Sequence, residues 1–255
     1  MRYTAGYRNT GISFSGAFPP GVKWLLVVNI AVFVLYFFTV QSAFGVFFQP
    51  LKLVPRDVLE GLAIWQLATY LFLHDPFGFG HILFNMLTLW MFGRDLEHTW
   101  GTRRFLRYYF LCGIGAGVCV VAANALVGNV DRATIGASGA IYGLLLAFGM
   151  LFPDSVVLFS FLFPIKAKYF VMILGVIAFM SSLSSGNSRV SNVAHLGGMV
   201  FGFLYLKTAL GVRAGKFRLR LGNPLRERYR DWKIQRAKKK FEVYLRKQDR
   251  DRWVN

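Results

Sequence analysis

Long apolar runs are the feature of this 255-residue sequence that most limits what it can fold into. Six stretches consist mainly of Leu, Val, Phe, Ile, Ala and Gly and carry very few charges. A helix of roughly 20 apolar residues is needed to cross a hydrocarbon core about 30 Å thick. Repeated runs near that length predict a chain that crosses a membrane several times.

The composition agrees with this prediction. Hydrophobic residues make up 55% of the chain and charged residues only 16%, and the mean hydropathy is +0.44. A typical soluble domain has about 25% charged residues. We therefore expect an all-α membrane protein with helical spans rather than a soluble domain. The predicted spans cover residues 22–40, 79–92, 105–126, 138–152, 168–182 and 190–206.

The segments between the spans differ in character. Residues 42–76 are rich in aromatic residues but are interrupted by Pro50 and Pro55 and by several charges, which a spanning helix cannot carry cheaply. We expect a partly embedded loop with short helices lying at the interface. A polar turn is predicted after residue 92, and an aromatic connection over 154–165.

Basic residues predict the orientation. An even number of spans places both termini on one side, and most Lys and Arg residues fall on that same side. Lys and Arg are enriched in cytoplasmic loops. We therefore expect a multi-pass protein with both termini cytoplasmic, in a pattern that suits a bacterial plasma membrane. The predicted organisation is a cytoplasmic lead over 1–21, a six-helix domain over 22–208 and a basic cytoplasmic tail over 209–255.

Four polar residues inside the predicted spans are functional candidates, because polar groups are costly in a membrane. They are His81, Asn85, Ser138 and His195. With a rise of about 1.5 Å per residue, Ser138 and His195 both lie roughly 8–9 Å below the outer surface. His81 and Asn85 share a helix face one turn apart. The four groups can therefore converge in one outward-opening cavity.

Each candidate also has a simpler interpretation. Ser138 lies between Gly136 and Gly139, which could form only a packing seam, and His195 with Gly198 could be a buried histidine on another seam. His81 and Asn85 could be interhelical hydrogen-bonding groups. The occurrence of all these residues at one depth favours a catalytic site over separate packing contacts. A serine hydroxyl next to a neutral histidine forms a nucleophile and its general base, and no Asp or Glu lies within a span to complete a triad.

A developing oxyanion needs hydrogen-bond donors. The Asn85 amide, the His81 ring and the backbone N–H of Ser138 meet that need, and the start of the fourth span adds a favourable dipole for negative charge.

Three motifs together resemble the rhomboid intramembrane serine proteases. They are Gly136-Ala-Ser138-Gly139 at the start of one span, Ala194-His195-x-x-Gly198-x-x-x-Gly202 in the last span, and His81-x-x-x-Asn85 in the second. The resemblance implies a six-transmembrane-helix, rhomboid-like bundle with a membrane-embedded first loop. It implies hydrolysis of a peptide bond in or near the transmembrane segment of single-span substrates, with no metal and no cofactor.

The resemblance also implies supporting residues. Tyr142 matches an aromatic that packs against the catalytic histidine, and His74 matches a position that supports the outer loop. Gly136, Gly139 and Gly198 belong to the matched motifs. Trp65-Gln66 departs from the Trp-Arg pair of some members, so a role for that arginine does not transfer.

A catalytically inactive rhomboid-like protein that holds client transmembrane helices would share the bundle without needing a nucleophile.

The tail from 213 to 252 holds 16 Lys/Arg and five Asp/Glu, with apolar residues at near-helical spacing. We expect it to lie as an amphipathic helix on anionic lipid, with a solvated charged helix as the alternative and nucleic-acid binding disfavoured.

Overall fold

The computed structural model describes residues 18–159, 163–183 and 189–209, and this part of the chain is mostly α-helical. Nearly all of the predicted lead (1–17) and of the predicted tail (210–255) lies outside the described residues. The α-helices in chain order are α1 Pro20–Thr39, α2 Pro55–Leu59, α3 Gln66–Thr69, α4 Phe79–Trp100, α5 Thr102–Leu126, α6 Ser138–Leu151, α7 Ala167–Leu183 and α8 Arg189–Ala209.

The six longer helices each overlap one predicted span. Among the described residues, α1 and α5 are long and apolar enough to cross a membrane, while Ser138–Leu151 and Ala167–Ser182 are apolar but shorter. Many large apolar side chains on these helices remain exposed, including Phe38 on α1 and Val176 on α7. Apolar surface of this extent is typical of a lipid-facing protein rather than a soluble one. Helices α5, α6 and α8 form the most closely packed group.

A buried carboxylate fixes the start of α1. Glu97, near the end of α4, accepts hydrogen bonds from the backbone N–H groups of Gly21 (2.8 Å) and Val22 (2.7 Å). The Thr102 hydroxyl donates a third bond, at 2.6 Å. The first N–H groups of a helix have no partner within it, and a negative charge there is favoured by the helix dipole. Glu97 thereby ties the beginnings of α1 and α5 to the end of α4.

The first loop contains the short helices expected of it. In addition to α2 and α3, 3₁₀ turns cover Ala43–Leu51 and Tyr70–Phe72. Gln66 is buried, accepts a hydrogen bond from the Val54 N–H (2.8 Å) and donates one to Asp57 (3.0 Å). A glutamine therefore organises this loop at the position where an arginine role was in doubt.

The same loop is joined to the segment that precedes α6. Leu53 and Thr134 form an isolated antiparallel bridge with two backbone hydrogen bonds, at 3.1 and 2.8 Å. The Arg56 N–H donates to the Val130 carbonyl (2.9 Å), and its guanidinium pairs with Asp131 at 3.1 Å. These contacts hold the loop against the approach to Ser138.

The connection predicted over 154–165 contains a hairpin that the sequence analysis missed. Strands β1 Val156–Phe159 and β2 Phe163–Lys166 pair antiparallel, with Val156 opposite Lys166. Asp154 binds Lys168 (3.0 Å) and Lys166 (3.2 Å), and these hydrogen bonds hold the pKa of its carboxyl below the usual range. Val156 and Val157 alternate between an exposed and a buried side chain, which fits a strand with one face on the protein.

The prediction that the second span ends at residue 92 in a polar turn is wrong. Helix α4 continues to Trp100, and Gly101, at φ 76°, alone separates it from α5. After residue 92, exposed or half-buried positions alternate with buried ones such as Leu96 and Glu97. A span predicted from a continuous apolar run ends at the first charged residues, whereas a helix can continue as long as one of its faces is buried.

The cap on α1 gives a stability prediction. Glu97→Gln retains one acceptor oxygen but loses the charge and one bond, so we expect a loss of about 1–3 kcal/mol. Unfolding of the detergent-solubilised protein by increasing fractions of denaturing detergent measures it. Asp95→Asn is the control, because that carboxylate is part-exposed and forms an ion pair with Arg94 at 3.0 Å; a shift of the same size there would contradict the capping role.

Candidate active site

Two glycines allow α6 and α8 to approach closely. A Cβ placed on Gly198 would overlap the carbonyl oxygen of Gly139, and one placed on Gly139 would collide with the side chain of Ala116. A Cβ on Gly143 would likewise meet the Cys112 side chain. Small residues are what allow helix backbones to come into contact in a membrane. Gly139 and Gly198 therefore bring together the two helices that carry the serine and the histidine.

Ser138 and His195 meet across this contact. The serine Oγ lies 2.9 Å from the histidine Nε2, although the residues are 57 positions apart in the chain. This distance is a hydrogen bond between a hydroxyl and an imidazole. Ser138 is the first residue of α6, so its hydroxyl lies at the helix start and not within an apolar helical turn.

Tyr142 packs on the histidine ring. The two ring planes are nearly parallel, at 3°, with centroids 4.0 Å apart. Tyr142 is one turn after Ser138 on α6, so both side chains project from the same face. The Nδ1 atom of His195 has no hydrogen-bond partner among the described residues. The flat contact with Tyr142 is therefore what fixes the plane of the imidazole here.

His81 and Asn85 line the same cavity from α4. Asn85 is buried, and its side-chain Nδ2 has no partner in the described part of the chain. Gly136 has φ 121°, and a Cβ there would lie 3.0 Å from the His81 ring. Glycine is thus required at 136 both by its backbone conformation and by the nearness of that ring.

His74 lies behind His81. Its side chain is fully buried, and the two ring centroids are 5.2 Å apart. It is absent from the described lining of the cavity and contacts the His81 ring, which does line it.

Tyr70 is a further residue of the site that was not predicted. Its hydroxyl donates to the Gly113 carbonyl of α5 at 2.7 Å, and its own carbonyl accepts from the Gly136 N–H at 2.9 Å. The residue is buried and lines the cavity. It connects the first loop, α5 and the segment that leads to Ser138. No local signal marks it, because it lies in an apolar stretch and its partners are distant in sequence.

These residues enclose a cavity of about 410 Å³. Ser138, His195, Tyr142, His81 and Asn85 all contribute to its wall, together with apolar side chains such as Phe84. A mostly apolar cavity with a few convergent polar groups is typical of a substrate site. The arrangement offers a hydroxyl nucleophile, a base in contact with it and an amide with free hydrogen-bonding capacity.

Comparison with known proteins gives a consistent result. A family profile described as "Rhomboid domain" matches residues 62–211, which include every site residue named above.

Similar proteins occur in bacteria and in mitochondria. A Bacillus subtilis (strain 168) protein named "Putative rhomboid protease YdcA" is 35% identical over 159 residues, covering 58% of this chain and 72% of that protein. The "Rhomboid protease GluP" of the same organism is 33% identical, covering 62% of this chain and 28% of its own length. "Rhomboid protein 1, mitochondrial" of Saccharomyces cerevisiae is 33% identical, covering 71% of this chain and 51% of that protein. This chain thus spans about a quarter of the length of the Bacillus protein GluP and about half of the length of the yeast protein.

The glycine contact gives a second stability prediction. Gly198→Ala places a methyl group on the backbone of α6, which must shift, and we expect a loss of about 1–3 kcal/mol in the same unfolding assay. Gly175→Ala on α7 is the matched control, because among the described residues its Cβ would meet the flexible Met199 side chain, at 3.4 Å. Alanine there should be neutral or stabilising by up to about 1 kcal/mol. Equal effects of the two substitutions would contradict the α6–α8 contact.

Proposed function

This chain belongs to the rhomboid family, and from that premise we propose that it is an intramembrane serine endopeptidase that uses Ser138 and His195 as a catalytic dyad. The observation that carries the proposal is the 2.9 Å contact between the Ser138 Oγ and the His195 Nε2. The protease names of the bacterial relatives support the same reaction class.

The first step is attack by Ser138 on the carbonyl carbon of the scissile peptide bond. His195 accepts the hydroxyl proton at Nε2 as the new C–O bond forms. The imidazolium then donates this proton to the departing amine, and the C–N bond breaks to leave an acyl-serine. Water, deprotonated by the same nitrogen, hydrolyses the ester and restores the hydroxyl. Tyr142 keeps the ring in the plane that both proton transfers require.

The tetrahedral intermediate carries a negative charge that must be stabilised. We assign this role to the Asn85 amide, the His81 ring and the backbone N–H of Ser138. The free Nδ2 of Asn85 supports the assignment, since it has a donor to offer. The first N–H groups of α6 also favour a negative charge at that position. Removing one such donor typically costs 10²–10³-fold in kcat.

Single-span membrane proteins are the proposed substrates. A peptide bond within a helix is hydrogen-bonded and sterically shielded, so the substrate must unwind locally before its carbonyl can reach Ser138. Small or helix-breaking residues near the membrane surface lower the cost of that unwinding. The cavity volume of about 410 Å³ can hold only a short unwound segment.

The proposed membrane arrangement has six spans within a domain over residues 22–208, with both termini on the cytoplasmic side of a bacterial plasma membrane. Charge supports the orientation. Lys23, Arg94, Lys168 and Lys207 lie at the end of the bundle where α1 and α5 begin. The other end, where Ser138 lies, has Lys52, Arg56, Arg132 and Arg189 against four acidic residues, so its formal charge is balanced. The tail from residue 209 is proposed to bind anionic lipid, as its sequence predicts.

Reconstituted cleavage of single-span substrates tests the function. We expect the parent protein to cleave members of a panel with helix-breaking residues near the outer surface, and Ser138→Ala and His195→Ala each to lower the rate by about 10³-fold or more. Ser182→Ala is the control, because that hydroxyl donates to the Phe179 carbonyl on α7, away from the cavity, and its loss should leave the rate unchanged.

Two results would contradict the proposal. Full cleavage by Ser138→Ala would exclude that hydroxyl as the nucleophile. Stable binding of the panel without cleavage by the parent protein would favour the inactive, client-holding alternative.

A further inference from the structure

The basic end of the bundle, where α1 and α5 begin, holds more cations than its own carboxylates can neutralise. The basic side chains described there are Lys23, Arg94, Arg103, Arg104, Arg107, Lys166, Lys168 and Lys207. Three acidic side chains accompany them, Asp95, Glu97 and Asp154. This excess of positive charge comes from residues 18–209 and does not include the basic residues of the tail.

All three carboxylates are already engaged. Asp95 pairs with Arg94 at 3.0 Å, and Asp154 pairs with Lys166 and Lys168. Glu97 is buried and is used by backbone N–H groups of α1 and by the Thr102 hydroxyl. Within residues 18–159, 163–183 and 189–209, no carboxylate lies within ion-pair distance of Arg103, Arg104 or Arg107.

Two of these arginines lie on the same face of α5. Arg103 and Arg107 are both exposed and are separated by one turn of α5, a rise of roughly 6 Å. Residues four apart share a helix face, so both guanidinium groups can reach one anion. Arginine binds phosphate oxygens through paired N–H donors.

The same face of α5 becomes apolar further along. Ile114 and Val118 follow Arg107 at spacings of seven and eleven residues, and both are exposed. On the neighbouring helix, Trp24 is about half exposed and packs on the Phe110 ring of α5, with centroids 6.3 Å apart. Lys23, exposed, precedes that tryptophan. A cationic surface that continues into an exposed apolar one matches a phospholipid, with its headgroup at one end and its chains along the other.

We propose that Arg103 and Arg107 bind the phosphate of an anionic phospholipid, whose acyl chains lie along Ile114 and Val118. Lys23 adds charge beside the headgroup. An anionic lipid is favoured over a zwitterionic one because the end of the bundle has no free carboxylate, among the described side chains, to accept a headgroup ammonium. Each basic residue near an anionic surface changes the affinity about fivefold. The site is independent of the proposed protease reaction, since none of its residues lines the cavity around Ser138.

Competition between two lipids in detergent tests the proposal. The full chain, purified in a neutral detergent, is mixed with equal amounts of phosphatidylglycerol and phosphatidylcholine that have the same acyl chains, and bound lipids are counted by native mass spectrometry. We expect the first one or two bound lipids to be phosphatidylglycerol. The tail is intact in every variant, so its contribution cancels when variants are compared.

Arg103→Gln together with Arg107→Gln should lower the preference for phosphatidylglycerol by about tenfold or more, whereas the double lysine variant, which keeps both charges, should retain most of it. An unchanged preference in the double glutamine variant would overturn the site. Equal losses in both double variants would overturn the charge-based account, because lysine preserves the charge.

Discussion

Contact between the backbones of α6 and α8 is the constraint on which the rest of the structure depends. Gly198 lies so close to the Gly139 carbonyl that no side chain can be placed between them. Ser138 directly precedes one of these glycines, and His195 lies one turn before the other. A separation set by larger residues would move the imidazole away from the hydroxyl, since interaxial distance depends on the side chains at the contact. The 2.9 Å contact is therefore a consequence of helix packing.

The first loop supports the other side of the site. Tyr70 joins it to α5 through its hydroxyl and to Gly136 through its carbonyl, and the Leu53–Thr134 bridge adds a second attachment. Because Gly136 lies two residues before Ser138, these bonds fix the segment that leads to Ser138. Buried backbone groups need such partners wherever water is excluded. The loop thus serves as a structural wall of the cavity as well as a connection between α1 and α4.

Much of this arrangement could be predicted from the sequence, but not all of it. The apolar runs located all six longer helices, because a continuous apolar stretch directly reflects lipid-facing or core burial. The positions of Ser138, His195, His81 and Asn85 in one cavity could be anticipated from helix rise and from their motifs. The end of α4 could not, since Glu97 is buried by hydrogen bonds to the start of α1 that are invisible in the local pattern. The β1–β2 hairpin was missed because its strands are only four residues long.

The central claim is that His195 makes the Ser138 hydroxyl nucleophilic within the bundle. Mapping the site of reaction with a fluorophosphonate tests this most directly, because the reagent phosphonylates an activated serine without requiring a substrate to be known. Peptide mapping by mass spectrometry should find the adduct on Ser138 in the parent protein and very little of it in His195→Ala. An adduct on another serine, or undiminished labelling of Ser138 without His195, would contradict the account.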